Sequence, residues 1–172
     1  MQKRVYIETT VASYLTARPN RDLIVAAHQE LTVDWWTNHR QRFDIYISDI
    51  VLREAARGDE SAAAKRLAQL EGLAVLDIDD RAGDLARLFV KRGLIPAKAT
   101  EDALHVSIAT CNGMDFLLTW NGKHIANAEV VQRLEAVCQE MGYRPGIVGV
   151  RRGSENLSDR FRFASQPSVV VR

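Results

Sequence analysis

The sequence has few of the features that mark extracellular, membrane or disordered proteins. Its two cysteines, Cys111 and Cys138, form no CxxC pair, which argues against a disulfide-stabilised secreted scaffold. With 4 prolines and 10 glycines in 172 residues, the chain is neither collagenous nor of low complexity. No apolar run approaches the roughly 18 residues that span a bilayer, and the N-terminal segment, apolar only over 5–7, is not typical of a signal peptide. We therefore expect a cytoplasmic protein without a membrane segment.

The chain also lacks an excess of charge of either sign. It has 23 basic and 22 acidic residues, a formal net charge of +1. This balance excludes a strongly basic nucleic-acid coat protein, but a nucleic-acid enzyme with a local basic patch remains possible. Residues 151–172 differ from the rest, with five arginines against two acidic residues. We predict one domain over 1–150 and a basic C-terminal tail or arm over 151–172.

Short β-type runs alternate with helical periodicity along the chain. This alternation predicts an α/β protein, a three-layer α/β/α sandwich around a central parallel sheet of four to five strands. Asn20 and Thr100 are the predicted caps of two helices, and Ser48 or Asp49 of a third. The predicted strands cover 5–7, 44–47, 73–78, 116–118 and 147–148, and helices are predicted over 10–15, 21–41, 80–92, 101–112 and 127–141.

Acidic and amide residues lie where a site would form in such a sheet, beyond the carboxyl ends of the strands. Glu8 follows the first strand, Glu54 lies in the helix after the second, Asp102 opens the helix before the fourth, and Asn121 follows the fourth. If strands one and four are neighbours, these side chains converge. Clustered carboxylates repel unless a divalent cation neutralises them, and oxygen ligands suit Mg²⁺ or Mn²⁺. Alternatively, Asp102 is a helix-dipole residue and Glu54 a solvated helix residue.

Three segments of the chain carry a more specific pattern. They are VYIETTVASYL, ISDIVLRE and TEDALHVSIATCNGMDFLLTWN. Their order and spacing resemble the motifs of the PIN domain, and specifically of the VapC family of toxin–antitoxin ribonucleases. The resemblance is spread over most of residues 4–148 and says nothing about 151–172. It implies a PIN-like fold for residues 1–150.

The resemblance also implies a set of site residues. The acids of the family fall on Glu8, Glu54 and Asp102, its fourth position falls on Asn121, and its supporting hydroxyl falls on Thr119. Glu8, Glu54, Asp102 and Asn121 are the implied ligands of Mg²⁺ or Mn²⁺. The implied activity is an endoribonuclease in which a metal-activated water hydrolyses RNA and leaves a 3′-hydroxyl.

The resemblance further implies a homodimer and a VapB-like antitoxin that covers the cleft. We expect the antitoxin tail to present a basic residue to the acids. Glu8 and Asn121 stand where aspartate is usual in the family. Because Asn121 removes a charge, a second hypothesis stays open. In that hypothesis the chain is a degenerate PIN domain, catalytically weak or inactive, that binds a partner or nucleic acid.

Several basic and imidazole side chains allow two interpretations. Arg18, Arg21 and Lys123 follow predicted site segments and are candidates for binding RNA phosphates, or they are solvated loop residues. His105 lies one helical turn after Asp102 and either assists the site or packs in the core.

Two further features have functional alternatives. Trp35 and Trp36 form a stacking platform for bases, or one is in the core and the other at a protein contact. Asp77 and Asp79 resemble the first motif of haloacid-dehalogenase phosphatases, but Arg81 stands where that family requires threonine or valine.

Overall fold

The chain folds around a parallel sheet of five strands. The computed structural model of the protein describes residues 2–149. The strand order is β3-β2-β1-β4-β5, and each neighbouring pair is parallel. The strands are β1 (Lys3–Ile7), β2 (Phe43–Ser48), β3 (Ala74–Leu76), β4 (Phe116–Leu118) and β5 (Ile147–Gly149).

Helices connect every pair of consecutive strands. In the part of the chain that the structure describes, no helix is both long and apolar enough to cross a membrane. The helices are α1 (Thr9–Thr16), α2 (Leu23–Asn38), α3 (Asp49–Ala55), α4 (Glu60–Leu70), α5 (Asp80–Lys91), α6 (Thr100–Cys111) and α7 (Ala128–Glu140), with short 3₁₀ turns at Arg40–Arg42 and Ala97–Ala99.

The strand order places these helices on two faces of the sheet. From β1 through β2 to β3 the chain moves one way along the sheet, and from β3 through β4 to β5 it moves the other way. Because crossovers between parallel strands are right-handed, the two directions put their helices on opposite faces. Accordingly, α1 packs against α2, α3 and α4, whereas α5 packs against α6. The predicted α/β class and layered sandwich are confirmed.

The central strand lies in the middle of the hydrophobic core. Val5, Tyr6 and Ile7 are each 0% exposed, as expected for a parallel strand covered on both faces. Trp35 and Trp36 on α2 are both buried in the same core. The interpretation that one of them lies at a protein contact is therefore wrong, and neither provides an open platform for a base.

Two of the predicted helix caps were wrong. Asp22, rather than Asn20, caps α2 and accepts from two N–H groups of its first turn. Asn20 instead accepts from the Asp22 N–H and shapes the approach to the helix. Thr100 is the first residue of α6, and its hydroxyl donates to the Ala97 carbonyl. Both errors displace a helix start by no more than two residues.

The point at which the strand order reverses determines where a crevice forms at the edge of the sheet. β1 and β4 are neighbours, but their connections leave in opposite directions. Such a switch point opens a crevice beyond the carboxyl ends of the two strands. The register pairs Ile7 with Leu118, so that the next residues, Glu8 and Thr119, leave adjacent strands side by side. The neighbour relation on which the predicted site depends is present.

The predicted domain boundary at residue 150 lies just beyond the described residues. The basic segment 151–172 lies outside the described residues. The domain boundary and the role of that segment stay predictions.

Gly146 allows the chain to approach β4 closely just before β5. A Cβ at this position would lie 2.5 Å from the Met114 carbonyl oxygen, whereas a Cβ at Gly122 would meet nothing within 4 Å. We expect Gly146→Ala to lower the free energy of unfolding by about 1–3 kcal/mol, as overpacking does. Urea denaturation measures this change. Gly122→Ala is the matched control, and equal stabilities of the two variants would contradict the expectation.

Candidate metal centre

Glu8 is the first residue after β1 and caps α1. It is only 4% exposed. Its Oε2 accepts hydrogen bonds from Thr10 N at 3.1 Å and from Thr119 Oγ1 at 2.8 Å, and the Thr10 hydroxyl donates to the same oxygen. The carboxylate that follows β1 is thus held by a hydroxyl that follows β4.

Glu54 reaches the same edge of the sheet from α3. Its side chain is 16% exposed. Its Oε2 accepts from the Thr9 hydroxyl and from His105 Nε2, the latter at 3.0 Å. A threonine of α1 and a histidine of α6 therefore fix the carboxylate of a third helix.

The two glutamates share one pattern of hydrogen bonding. Within residues 2–149, the donors that reach Glu8 and Glu54 all end on Oε2. An ionised carboxylate carries acceptor sites on both oxygens. Oε1 of Glu8 therefore keeps its lone pairs for another partner, whereas the Glu54 carboxyl also contacts the side chain of Glu101.

These side chains form a group suited to a divalent cation. Glu8, Glu54 and His105 each offer one ligand atom, and these atoms lie within 4.8 Å of one another. No lysine or arginine in the described chain forms an ion pair with either glutamate. Two shielded carboxylates without a cationic side chain repel, and a divalent ion removes that repulsion. The donor set fits Mg²⁺ or Mn²⁺ in its oxygens, and an imidazole nitrogen is also acceptable to transition metals.

Asp102 lies beside this group on the first turn of α6. It is half-buried, and burial raises the pKa of its carboxyl above the ordinary 3.8. The side-chain hydrogen bond with Asn121 lowers the pKa, whereas the charge of Glu54 raises it. Asp102 therefore interacts electrostatically with Glu54, although it is not one of the three residues of the compact group.

Asn121 uses both ends of its amide. Its Oδ1 accepts from His124 N at 3.1 Å, and its side chain hydrogen-bonds to Asp102. Its backbone N–H donates to Thr119 Oγ1 at 2.9 Å. Because an amide can accept from a backbone N–H through its oxygen and donate to a carboxylate through its nitrogen, Asn121 favours the ionised form of Asp102. Thr119 in turn connects Asn121 to Glu8.

His105 combines the two roles considered for it. It is 0% exposed and packs beside Tyr6, with ring centroids 5.8 Å apart. Its Nε2 bonds to Glu54 and its Nδ1 to the Tyr6 hydroxyl at 2.7 Å. The histidine is therefore a core residue that also touches the site.

The predicted phosphate-binding residues are all at the surface. Arg18 and Arg21 are exposed in the loop between α1 and α2, and Lys123 is exposed in the turn after Asn121. Their proposed contacts with RNA stay predictions.

The sequence analysis missed the hydroxyls of Thr9 and Thr10 as supports of the site. Thr10 Oγ1 donates to Glu8 and accepts from Trp120 N at 2.8 Å. Thr9 donates to Glu54. The only sequence signal was a pair of threonines directly after Glu8, and such a pair is also an ordinary way to begin a helix.

The phosphatase interpretation finds no support in the surroundings of Asp77 and Asp79. Asp79 caps α5 by accepting from Ala82 N at 3.0 Å, and it also pairs with Arg81. Asp77 is exposed after β3, the edge strand. The Asp79 carboxylate therefore serves as the cap of α5.

Comparisons with known proteins find similarity at the level of three-dimensional structure. No protein-family model matches the chain, and no curated protein matches it. Among solved structures, it is similar to VapBC2 from Rickettsia felis bound to a DNA fragment from its promoter, with 22% identity and a TM-score of 0.45, over 70% of this chain and 89% of the other.

The fold and the site together define a class of protein. The chain is an α/β protein with a parallel sheet and an acidic group at the switch point of that sheet. The residues that the sequence predicted for this site are neighbours in space, in two subgroups. Glu8, Glu54 and Thr119 form one, and Asp102 and Asn121 form the other.

We expect Asp102→Asn to raise the melting temperature of the metal-free protein at pH 7 by about 1–3 °C. Burial raises the pKa of Asp102 in the folded state. Above that pKa the folded protein carries a charge that solvates better when the chain unfolds, so a neutral amide is stabilising. The change stays below about 1 kcal/mol because solvent screens a half-exposed group.

Differential scanning calorimetry without metal measures this shift. Asp77→Asn is the matched control, since it makes the same charge change at an exposed position. A lower melting temperature for Asp102→Asn than for the parent protein would contradict the expectation.

Proposed function

We propose that the protein is a Mg²⁺- or Mn²⁺-dependent endoribonuclease of the VapC toxin type. The observation that carries this proposal is the shielded pair Glu8 and Glu54, which meets at the switch point without a lysine or arginine partner in the described chain. The motif resemblance supplies the substrate class.

Glu8, Glu54 and Asp102 would hold the cation, with Asn121 completing the set. When bound, such a cation provides a Lewis acid and a water that is nucleophilic at neutral pH. The chain's own contribution is to fix the ligands. Thr119 and Thr10 orient Glu8 through Oε2, and Asp102 is half-exposed.

Three exposed basic side chains are the proposed binding groups for a polyanion. Lys123 is exposed two residues after Asn121, and Arg18 and Arg21 are exposed in the loop that follows α1. In the proposal these side chains contact RNA phosphates by charge-assisted hydrogen bonds. With so few contacts and a net charge of +1, RNA affinity is modest and falls with salt.

The proposed partners follow from the same site. A VapB-like antitoxin would cover the crevice and present a lysine or arginine to Glu54 or Asp102, which lack such a partner in the described chain. Leu23 and Ile24, 86% and 69% exposed, give α2 an apolar start that a protein partner could cover. We also propose a homodimer located in the cytoplasm.

The first test is cleavage of labelled RNA with Mg²⁺ or Mn²⁺. We expect Glu54→Gln to reduce the rate by at least about 100-fold, more than the 10–100-fold typical of residues behind a metal ligand. Glu71→Gln, at an exposed glutamate, is the matched control and keeps full activity. Unchanged cleavage by Glu54→Gln would reject the site. RNA binding without cleavage under either metal would instead favour the degenerate, non-catalytic domain.

A second test concerns the unusual asparagine. Asn121→Asp keeps the acceptor for His124 N but replaces the amide beside Asp102 with a like charge. We expect Mn²⁺ to bind about tenfold more tightly, a change of about 1.4 kcal/mol, and the metal-free protein to melt at a lower temperature.

Isothermal titration calorimetry and thermal melting measure the two effects. Asn127→Asp is the matched control, because it adds the same charge and retains the cap of α7. Weaker Mn²⁺ binding by Asn121→Asp would show that residue 121 does not face the ion.

A further inference from the structure

A buried row of hydrogen bonds runs from the core of the sheet to Glu54. Ser48 Oγ lies 2.7 Å from the Tyr6 hydroxyl, which lies 2.7 Å from His105 Nδ1, and His105 Nε2 lies 3.0 Å from Glu54 Oε2. Ser48, Tyr6 and His105 are each 0% exposed. The four residues come from β2, β1, α6 and α3, so the row joins both layers of helices through the sheet.

The acceptor at the end of the row sets the direction of its donors. An ionised Glu54 carboxylate only accepts, so His105 Nε2 must donate to it. In the neutral imidazole Nδ1 then offers a lone pair, and the Tyr6 hydroxyl donates to it. The Tyr6 oxygen in turn accepts from the Ser48 hydroxyl. Each group thus has one donor role, and the Nε2–H tautomer of His105 is selected.

Ser48 shows that this arrangement takes precedence over a local preference. It occupies the N-cap position of α3, where a serine side chain ordinarily accepts from an N–H of the first turn. Its side chain makes no such bond and contacts Tyr6 instead. The helix that carries Glu54 therefore begins without a side-chain cap.

We propose that His105 is a positioning residue for Glu54 and not a metal ligand. This proposal rests on the proposed metal-dependent function. His105 and Thr9 both donate to Oε2, and these two bonds fix the plane of the carboxylate that would bind the cation. Tyr6 and Ser48 hold the imidazole in the tautomer that donates. A pre-ordered carboxylate binds the cation more tightly because less rotational freedom is lost on binding.

The test measures Mn²⁺ affinity by calorimetry, without RNA. His105→Leu removes the donor to Glu54 and is expected to raise the Kd for Mn²⁺ by about 10–100-fold. His105→Gln, whose amide also donates, is expected to recover most of that affinity. A purely structural role would not distinguish the two variants in this way.

A more conservative substitution tests the same hydrogen bonds with a smaller perturbation of the core. Tyr6→Phe removes one buried oxygen and is expected to weaken Mn²⁺ binding by about three- to tenfold, below the effect of removing His105 itself. Tyr46→Phe is the matched control on the neighbouring strand, where Tyr46 pairs with Tyr6. Equal Mn²⁺ affinities of these two variants would overturn the role of the hydrogen-bonded row.

Two spectra separate positioning from ligation. In ¹⁵N-histidine NMR, the expected signature is a protonated Nε2 and an unprotonated Nδ1, with a mixed tautomer in Tyr6→Phe. In pulsed EPR of the Mn²⁺ form, no imidazole ¹⁴N coupling is expected from His105. A ¹⁴N coupling that disappears in His105→Gln would overturn the proposal, because it would make His105 a ligand.

The proposed nuclease activity and the proposed role of His105 can be rejected independently of each other. A parent protein that binds Mn²⁺ but cleaves no RNA would reject the nuclease, and the affinities of the variants would still decide the role of His105. A parent protein that cleaves RNA, with Tyr6→Phe and Tyr46→Phe of equal affinity, would reject the positioning role alone.

Discussion

The rest of the site depends on the repulsion between two glutamates that lie close together with little access to water. Glu8 is 4% exposed, and Glu54 shares its edge of the sheet. Two such charges are tolerated when hydrogen-bond donors surround them and a cation can enter. The donors here are threonine hydroxyls, one backbone N–H and one imidazole nitrogen. None of these carries a fixed positive charge, so the electrostatic demand for a cation remains.

The sheet explains why those donors are available. At the switch point, β1 and β4 deliver Glu8 and Thr119 side by side, and α1 and α6 begin close to the same edge. The same strand that ends at Glu8 places Tyr6 two residues earlier, where it bonds to His105. The core and the site are thereby one hydrogen-bonded unit. The position of the Glu8 carboxylate is therefore determined by the packing of the central strand β1.

The sequence predicted most elements from local signals, namely short apolar runs that alternate with helical stretches and end at turn residues. The strand at 116–118 and the helix at 80–92 agree with Phe116–Leu118 and Asp80–Lys91 within one residue. The cap at Thr100 was wrong because α6 begins at that residue, directly after Ala99. The cap at Asn20 was wrong because Asp22, another short polar residue two positions later, accepts from the first N–H groups instead. The choice between them depends on the approach of the chain to the helix, which periodicity does not encode.

By itself, the sequence determined the alternation of strands and helices and the identity of the acids that follow the strands. Both are local properties, readable from spacing. Only the tertiary structure decided that β1 and β4 are neighbours, that Glu54 and His105 meet across 51 residues of chain, and that Ser48 bonds to Tyr6 rather than capping its helix. These facts depend on contacts between residues distant in sequence. A histidine one helical turn after an acid has the same local pattern whether it packs inertly or holds a carboxylate, and the packed sheet distinguishes the two.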